Sequence, residues 1–142
     1  MSAKPVPEGH NVVSPYLVVK GADKLIEFAK RVFGAEVVAR MEGPGGAVMH
    51  AEIRIGDTIV MIGEAGETLS PAMLHVYVAD VDTVYRRALE AGATSQREPE
   101  DMFYGDRIST VADAFGNRWA ISTHKEDVSH EEMARRAAQA KR

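Results

Sequence analysis

Hydrophobic positions along the chain alternate between two spacings, one typical of strands and one typical of helices. Apolar side chains at every second position predict strands over residues 12–19, 36–41, 48–55 and 58–62. Between the first two strands, apolar residues recur at every third or fourth position. This spacing predicts a helix over residues 22–33 that ends at Gly34. The first half of the chain therefore has the predicted order βαβββ.

The same order begins again at residue 73. Strands are predicted over residues 73–78, 94–97, 107–111 and 118–123, and a helix over residues 81–91. The halves superpose with Val19 on Val78 and Tyr16 on His75, and both helices end in Gly-Ala. We interpret them as a repeat, with modules over residues 12–64 and 73–124 of one domain that covers residues 1–128. A capping-box pattern at Ser129 predicts a C-terminal helix over residues 129–142.

Composition excludes several classes of protein. The 142 residues carry 17 Lys and Arg against 21 Asp and Glu, so the net charge of −4 argues against a nucleic-acid partner. No cysteine is present, which excludes disulfides and cysteine nucleophiles. No apolar stretch approaches the ~20 residues of a membrane span. We expect a cytoplasmic protein without a membrane partner.

Motifs across residues 15–136 carry a resemblance to a known family. They lie at residues 15–19, 26–35, 48–53, 77–82, 102–107, 113–119 and 122–127. With them the chain resembles the vicinal oxygen chelate superfamily, and within it the PhnB-like branch of glyoxalase/bleomycin resistance proteins. That branch usually has Asp-Pro-Phe-Gly-His where this chain has Ala114 and Asn117. The resemblance implies an α+β fold, with two βαβββ modules that form half-barrel sheets around a concave pocket, within a homodimer.

The resemblance also implies four positions for metal ligands, on the first and last strand of each module. In this chain they fall on Ser14, Met73, Ala120 and one of residues 59–61, and the three candidates at 59–61 are all apolar. Such side chains do not bind a hard divalent cation, so we predict neither a metal nor another cofactor. His50 and Glu52 share one strand face, where they form a hydrogen-bonded pair or hold a metal if a third ligand approaches. Three roles are open for His75: it lines the pocket and contacts a ligand, it forms a structural hydrogen bond, or it binds a metal.

Strand alternation predicts which side chains face a ligand. Leu17 and Val19 face the core, as do Trp119 and Ile121 on the last strand, where Ala120 and Ser122 then face the pocket. Arg107 binds a carboxylate or phosphonate, or pairs with Asp101, Asp106 or Asp113. Phe103 lies on a loop that serves as a lid or a dimer contact. The predicted ligand-binding residues are Tyr16, His50, Glu52, Met73, His75, Tyr77, Phe103 and Arg107.

These features favour a metal-free protein that binds a small aromatic or amphipathic molecule, such as a drug or a metabolite, without turnover. The alternative is a lyase, isomerase or dioxygenase of the same superfamily with an atypical or absent metal site. A third interpretation is an interaction module whose pocket its own side chains fill. No catalytic residue can be assigned, because the chain has neither a nucleophile elbow nor a phosphate-binding glycine loop. His10, His124 and His130 are expected to be exposed and receive no role.

Overall fold

Two four-stranded sheets contain the eight strands that the sequence predicts. The computed structural model describes residues 4–140, and the chain divides into two units between Ala72 and Met73. Each unit has the order βαβββ, and the second unit also contains the C-terminal helix. The α+β fold with two βαβββ modules is therefore confirmed. Of the predicted helix over residues 129–142, residues 141 and 142 lie outside the described residues.

The first unit is a mixed sheet with one helix packed on it. Its elements are β1 (Tyr16–Val19), α1 (Ala22–Phe33), β2 (Glu36–Glu42), β3 (Val48–Ile55) and β4 (Thr58–Glu64), with a 3-10 turn at Pro44–Gly46. The strand order is β1-β4-β3-β2, with β1 parallel to β4 and the other pairs antiparallel. β1 begins four residues later than predicted. Pro15 has no N–H to donate to the ladder, and Val12 and Val13 are exposed.

The second unit repeats this sheet topology. Its elements are β5 (Met73–Tyr77), α2 (Val81–Glu90), β6 (Thr94–Asp101), β7 (Asp106–Ala112), β8 (Arg118–His124) and α3 (His130–Ala140). The strand order is β5-β8-β7-β6, with β5 parallel to β8. β6 is twice as long as predicted, because it continues through Pro99. The sheet tolerates that proline since β6 is an edge strand and its pairing is irregular between Arg97 and Glu100.

Both sheet helices begin on a side chain from the last strand of their sheet. The Glu64 carboxylate at the end of β4 accepts the backbone N–H groups of Gly21 (3.1 Å) and Ala22 (2.9 Å). In the second unit the Thr123 hydroxyl on β8 accepts the N–H of Val81 at 2.9 Å. A helix start has four N–H groups without helical partners, so these contacts stabilise both helices. The repeat therefore extends from element order to helix capping.

One face of each sheet is covered by its helix. The covered face of the first unit buries Leu17 and Val19, and that of the second buries Trp119 and Ile121. These four residues confirm the core predicted for β1 and β8. Each large aliphatic side chain buried in this way stabilises the fold by about 1.5–3 kcal/mol. Among the helices of residues 4–140, none has the length and apolar character of a membrane span.

A buried carboxylate organises the turn between β7 and β8. Asp113 Oδ1 accepts the backbone N–H groups of Phe115 (2.8 Å) and Asn117 (2.9 Å). Asp113 Oδ2 accepts from Asn117 Nδ2 and from Trp119 Nε1, both at 2.9 Å. Asn117, at the position where the resembling branch usually has histidine, thus contributes two donors to this carboxylate.

We predict that Asp113→Ala lowers the free energy of unfolding by about 3 kcal/mol or more, because the substitution leaves several buried donors without this acceptor. Asp57→Ala is the matched control. Its carboxylate is exposed and accepts from the neighbouring Thr58 hydroxyl, so we expect a loss below about 1 kcal/mol. Urea unfolding of both variants measures the difference. Equal losses would contradict the role of Asp113.

Candidate functional site

Each sheet has one face that its helix does not cover, which we call the open face. The open face of the first sheet brings together Tyr16, His50 and Glu52, three of the predicted site residues. The β1–β4 register places Tyr16 beside Met61, and β3 places His50 beside Gly63. The Tyr16 ring lies over Gly63, where an added Cβ would be 3.2 Å from the Tyr16 Oη and Cε1 atoms. Because Gly63 has no side chain, Tyr16 Oη lies 2.9 Å from His50 Nδ1.

His10 joins this cluster, although the sequence analysis gave it no role and expected it to be exposed. A turn closed by the His10 N–H and the Pro7 carbonyl, with Gly9 at φ +80°, directs the ring toward the sheet. His10 Nε2 lies 2.9 Å from Glu52 Oε1, and only 15% of the side chain is exposed. The Pro-Glu-Gly sequence does indicate a turn. It does not indicate which strand the turn contacts.

One carboxylate, that of Glu52, faces both imidazoles. Its Oε1 is within hydrogen-bond distance of His10 Nε2, whereas its Oε2 lies 3.7 Å from His50 Nε2, a charge contact longer than a hydrogen bond. His10 Nδ1 lies 3.2 Å from the Glu8 carbonyl oxygen, which leaves neither ring nitrogen of His10 without a partner. Within residues 4–140, no group of three histidine or carboxylate side chains has the arrangement that holds a metal ion. The approach of His10 therefore provides a hydrogen-bond partner for Glu52.

In the second unit Met73, His75 and Tyr77 lie exposed along β5. The His75 and Tyr77 rings stack with centroids 4.7 Å apart and an interplanar angle of 21°. His75 Nε2 contacts Ser122 Oγ at 2.8 Å. The strand register places Ala120 beside His75 and Ser122 beside Tyr77, on the face that alternation predicts, and both side chains are buried.

Asp106 anchors the end of this face. Its carboxylate is buried, accepts from the Tyr77 hydroxyl at 3.4 Å and contacts His124 Nδ1 at 2.7 Å. Partial desolvation, followed by the charge of Asp106, raises the pKa of Tyr77 above its usual value of 10.0. The hydrogen bonds to Asp127 and then to Asp106 raise the pKa of His124. From the sequence, Asp106 was considered only as a partner of Arg107 and His124 was given no role; the contact between them joins residues 18 apart along the chain.

A cleft of about 310 Å³ adjoins Asp106. It is lined by Asp101, Met102, Gly105, Asp106, Lys125 and Glu126. Phe103, a predicted site residue, lies in the adjacent turn with its ring 5.3 Å from that of Tyr104 in an edge-to-face arrangement. Arg136 of α3 donates to the Phe103 carbonyl at 3.3 Å and pairs with Glu126 at 2.6 Å. The C-terminal helix therefore holds the turn that carries Phe103.

Arg107 does not lie on the open face. Its β8 partner is Thr123, whose hydroxyl caps α2, so both side chains are on the helix side of the sheet. The guanidinium binds both oxygens of Asp82, at 2.9 and 3.0 Å, and also pairs with Asp101 at 3.3 Å. Its hydrogen bonds lower the pKa of Asp82. Of the carboxylates considered from the sequence, only Asp101 is a partner, and the structure separates Arg107 from His75 and Tyr77.

Comparison with known proteins identifies the family. Residues 10–121 match the model of the glyoxalase/bleomycin resistance protein/dioxygenase superfamily. The chain belongs to this superfamily. It is 36% identical over 134 residues to the uncharacterized protein Mb0911c of Mycobacterium bovis, a match that covers 85% of this chain and 88% of that protein. The uncharacterized protein Rv0887c of Mycobacterium tuberculosis is equally identical over the same length, with 79% of it covered.

Solved structures of the superfamily share the fold. TioX from Micromonospora sp. ML1 superposes with a TM-score of 0.67 and 26% identity, over 84% of this chain and 100% of that one. The fosfomycin resistance protein FosX from Listeria monocytogenes superposes with a TM-score of 0.65 and 17% identity, over 87% of this chain and 97% of that one. At 17% identity, the likeness to FosX shows a shared fold alone.

Strand register locates the fourth of the positions that the resemblance assigns to metal ligands. Tyr16 pairs with Met61 as His75 pairs with Ala120, so Met61 is the fourth position that the sequence left within residues 59–61. The complete set is Ser14, Met61, Met73 and Ala120. One hydroxyl, two thioethers and a methyl group do not fit a hard divalent cation. Of these four side chains, Met73 is exposed and Ala120 is buried.

We predict that the stabilising effect of His124 depends on pH. The folded-state pKa lies above the unfolded value of about 6.5, so the contribution is complete below about pH 6.5 and is lost as pH rises through the folded pKa. The difference in Tm between wild type and His124→Gln should be largest at acidic pH and smaller in the alkaline range. His130→Gln, which removes an exposed histidine of α3, is the control. A difference that grows with pH would refute the assignment.

Proposed function

We propose that this chain binds a small, flat organic molecule on its open sheet faces, without a metal ion. One observation carries the proposal: each open face presents exposed aromatic side chains whose polar atoms are held by partners within the same unit. Tyr16 is held by His50, and Tyr77 by Asp106. Aromatic surface with a few oriented polar groups is typical of sites for organic ligands. Sequestration of a drug or a metabolite is the form of this function that we propose.

Exposure supports a binding role for these residues over a packing role. The exposed fraction is 48% for Tyr16, 55% for Met73 and 62% for Tyr77. Large apolar side chains left exposed next to one another on a strand are a common feature of binding surfaces. Met73 is also one of the four positions that the resemblance assigns to metal ligands, and a flexible thioether adapts to varied ligand shapes. We therefore include Met73, His75 and Tyr77 in the proposed site, together with Tyr16, His50 and Glu52.

Two other predicted residues have different roles in the proposal. Phe103 lies beside the cleft at Asp106 and contributes an aromatic edge to that end of the face. Arg107 is left out, because its bidentate pairing with Asp82 uses its donors on the helix side of the sheet. An anionic group on the ligand would therefore need a cationic partner other than Arg107.

Thermal unfolding of the chelator-stripped protein tests the proposal. We expect no rise in Tm with Ni²⁺, Zn²⁺, Mn²⁺ or Fe²⁺, and a rise with flat heteroaromatic compounds. A ligand at a hundred times its Kd stabilises the folded state by about 2.7 kcal/mol. Tyr16→Ala or Tyr77→Ala should weaken the response to the compound. A concentration-dependent rise with a metal that His50→Ala or His75→Ala abolishes would overturn the metal-free assignment.

A second candidate function is a lyase or isomerase of the superfamily that moves a proton without a metal. The alignment of Glu52, His50 and Tyr16 favours it, because a carboxylate that orients an imidazole beside a hydroxyl is an acid–base arrangement. Incubation with hemithioacetals and catechols separates the two functions. Turnover that Tyr16→Phe abolishes would support the enzyme, and binding without turnover is expected here.

Three further features remain predictions from the sequence. They are the homodimer, the cytoplasmic location and membership of the PhnB-like branch. The proposed site does not depend on any of them, because each open face is described within its own unit.

A further inference from the structure

The tyrosine hydroxyl on the second open face donates its proton inward. Tyr77 Oη lies 3.4 Å from Asp106 Oδ2, and the other oxygen of that carboxylate contacts His124 Nδ1 at 2.7 Å. A carboxylate accepts hydrogen bonds and has no proton to give. The raised pKa of Tyr77 agrees with this direction, since the phenol keeps its proton to donate.

The hydroxyl of Tyr16 on the first open face also donates its proton inward, and here the tautomer of His50 is the reason. His50 Nε2 faces the Glu52 carboxylate at 3.7 Å, which favours the tautomer with its proton on Nε2. His50 Nδ1 then carries a lone pair and accepts the proton of Tyr16 Oη at 2.9 Å. Glu52 is itself held by His10 at 2.9 Å, so this carboxylate has a fixed position.

A phenol oxygen whose only proton is engaged offers lone pairs alone to a ligand. We propose that the molecule bound at these faces carries an N–H or O–H donor on an aromatic ring and places it on the oxygen of Tyr16 or Tyr77. This inference rests on the proposed function and specifies the ligand's chemistry. The acceptors behind each ring make the tyrosine oxygens stronger acceptors for the ligand, because a hydroxyl that donates to a strong acceptor becomes a better acceptor itself.

Three flat bicyclic probes test the inference on the full-length protein. Indole carries an N–H donor, 1-methylindole lacks it, and quinoline carries only an acceptor. Chemical-shift titration of ¹⁵N-labelled protein gives a Kd for each probe. Indole should bind about three- to tenfold more tightly than the other two, the range expected for one net hydrogen bond. The two donor-free probes separate loss of the donor from the added bulk of a methyl group.

Two variants and a control connect the preference to the hydroxyls. Tyr16→Phe and Tyr77→Phe keep the ring and remove the acceptor, so the preference for indole should disappear from the resonances of the altered face. Tyr85→Phe is the matched control. Its hydroxyl bonds Ser95 at 2.6 Å and its side chain is buried with α2, so the preference should persist.

The possible results separate this inference from the proposed function. If all three probes bind the open faces equally, or if both phenylalanine variants keep the preference, the donor requirement is wrong while aromatic binding stands. If none of the probes shifts resonances of the open faces, the proposed function fails as well. A preference that disappears only in the tyrosine variants of the open faces supports the inference.

Discussion

The parallel pairing between the first and last strand of each unit determines which side chains reach the open face. The register sets Tyr16 against Met61 and His75 against Ala120. Because side chains alternate across a sheet, a shift of one residue would turn the aromatic residues toward the helix and the core residues toward solvent. The same register brings Glu64 and Thr123 to the helix starts. Core, helix caps and candidate site therefore depend on one pairing.

Each open face is organised around one carboxylate. Glu52 contacts His10 and faces His50, while Asp106 contacts Tyr77 and His124. Withdrawing a carboxylate from water costs free energy unless donors surround it, and here ring N–H and O–H groups are those donors. The rings lose rotational freedom in return and keep defined orientations. The two units thus reach similar polar arrangements with different residues.

Local sequence patterns predicted most of the fold and the exposure of several candidate site residues. Periodicity located α1 and β3 to the residue, and alternation predicted that Tyr16, Met73, His75 and Tyr77 are exposed on the strands. The errors occurred where distant segments meet. The approach of His10 to Glu52 depends on the path of a turn, which periodicity does not encode. Arg107 was placed on the open face from its nearness to Phe103, whereas its strand parity puts it with Thr123 on the helix side.

The four positions that the resemblance assigns to metal ligands bear on what would control affinity at these faces. A bound metal would contribute strong, directional bonds, whereas the hydroxyl of Ser14, the thioethers of Met61 and Met73 and the buried methyl group of Ala120 contribute none of that kind. Burial of one aromatic ring system removes about 200 Å² from water, which corresponds to about 5 kcal/mol. That gain is comparable to the loss of about 4 kcal/mol or more in translational and rotational freedom on association. In the proposed function, apolar contact alone would therefore hold many flat molecules weakly and equally. Single hydrogen bonds to the two tyrosine oxygens would then decide which of those molecules the protein retains.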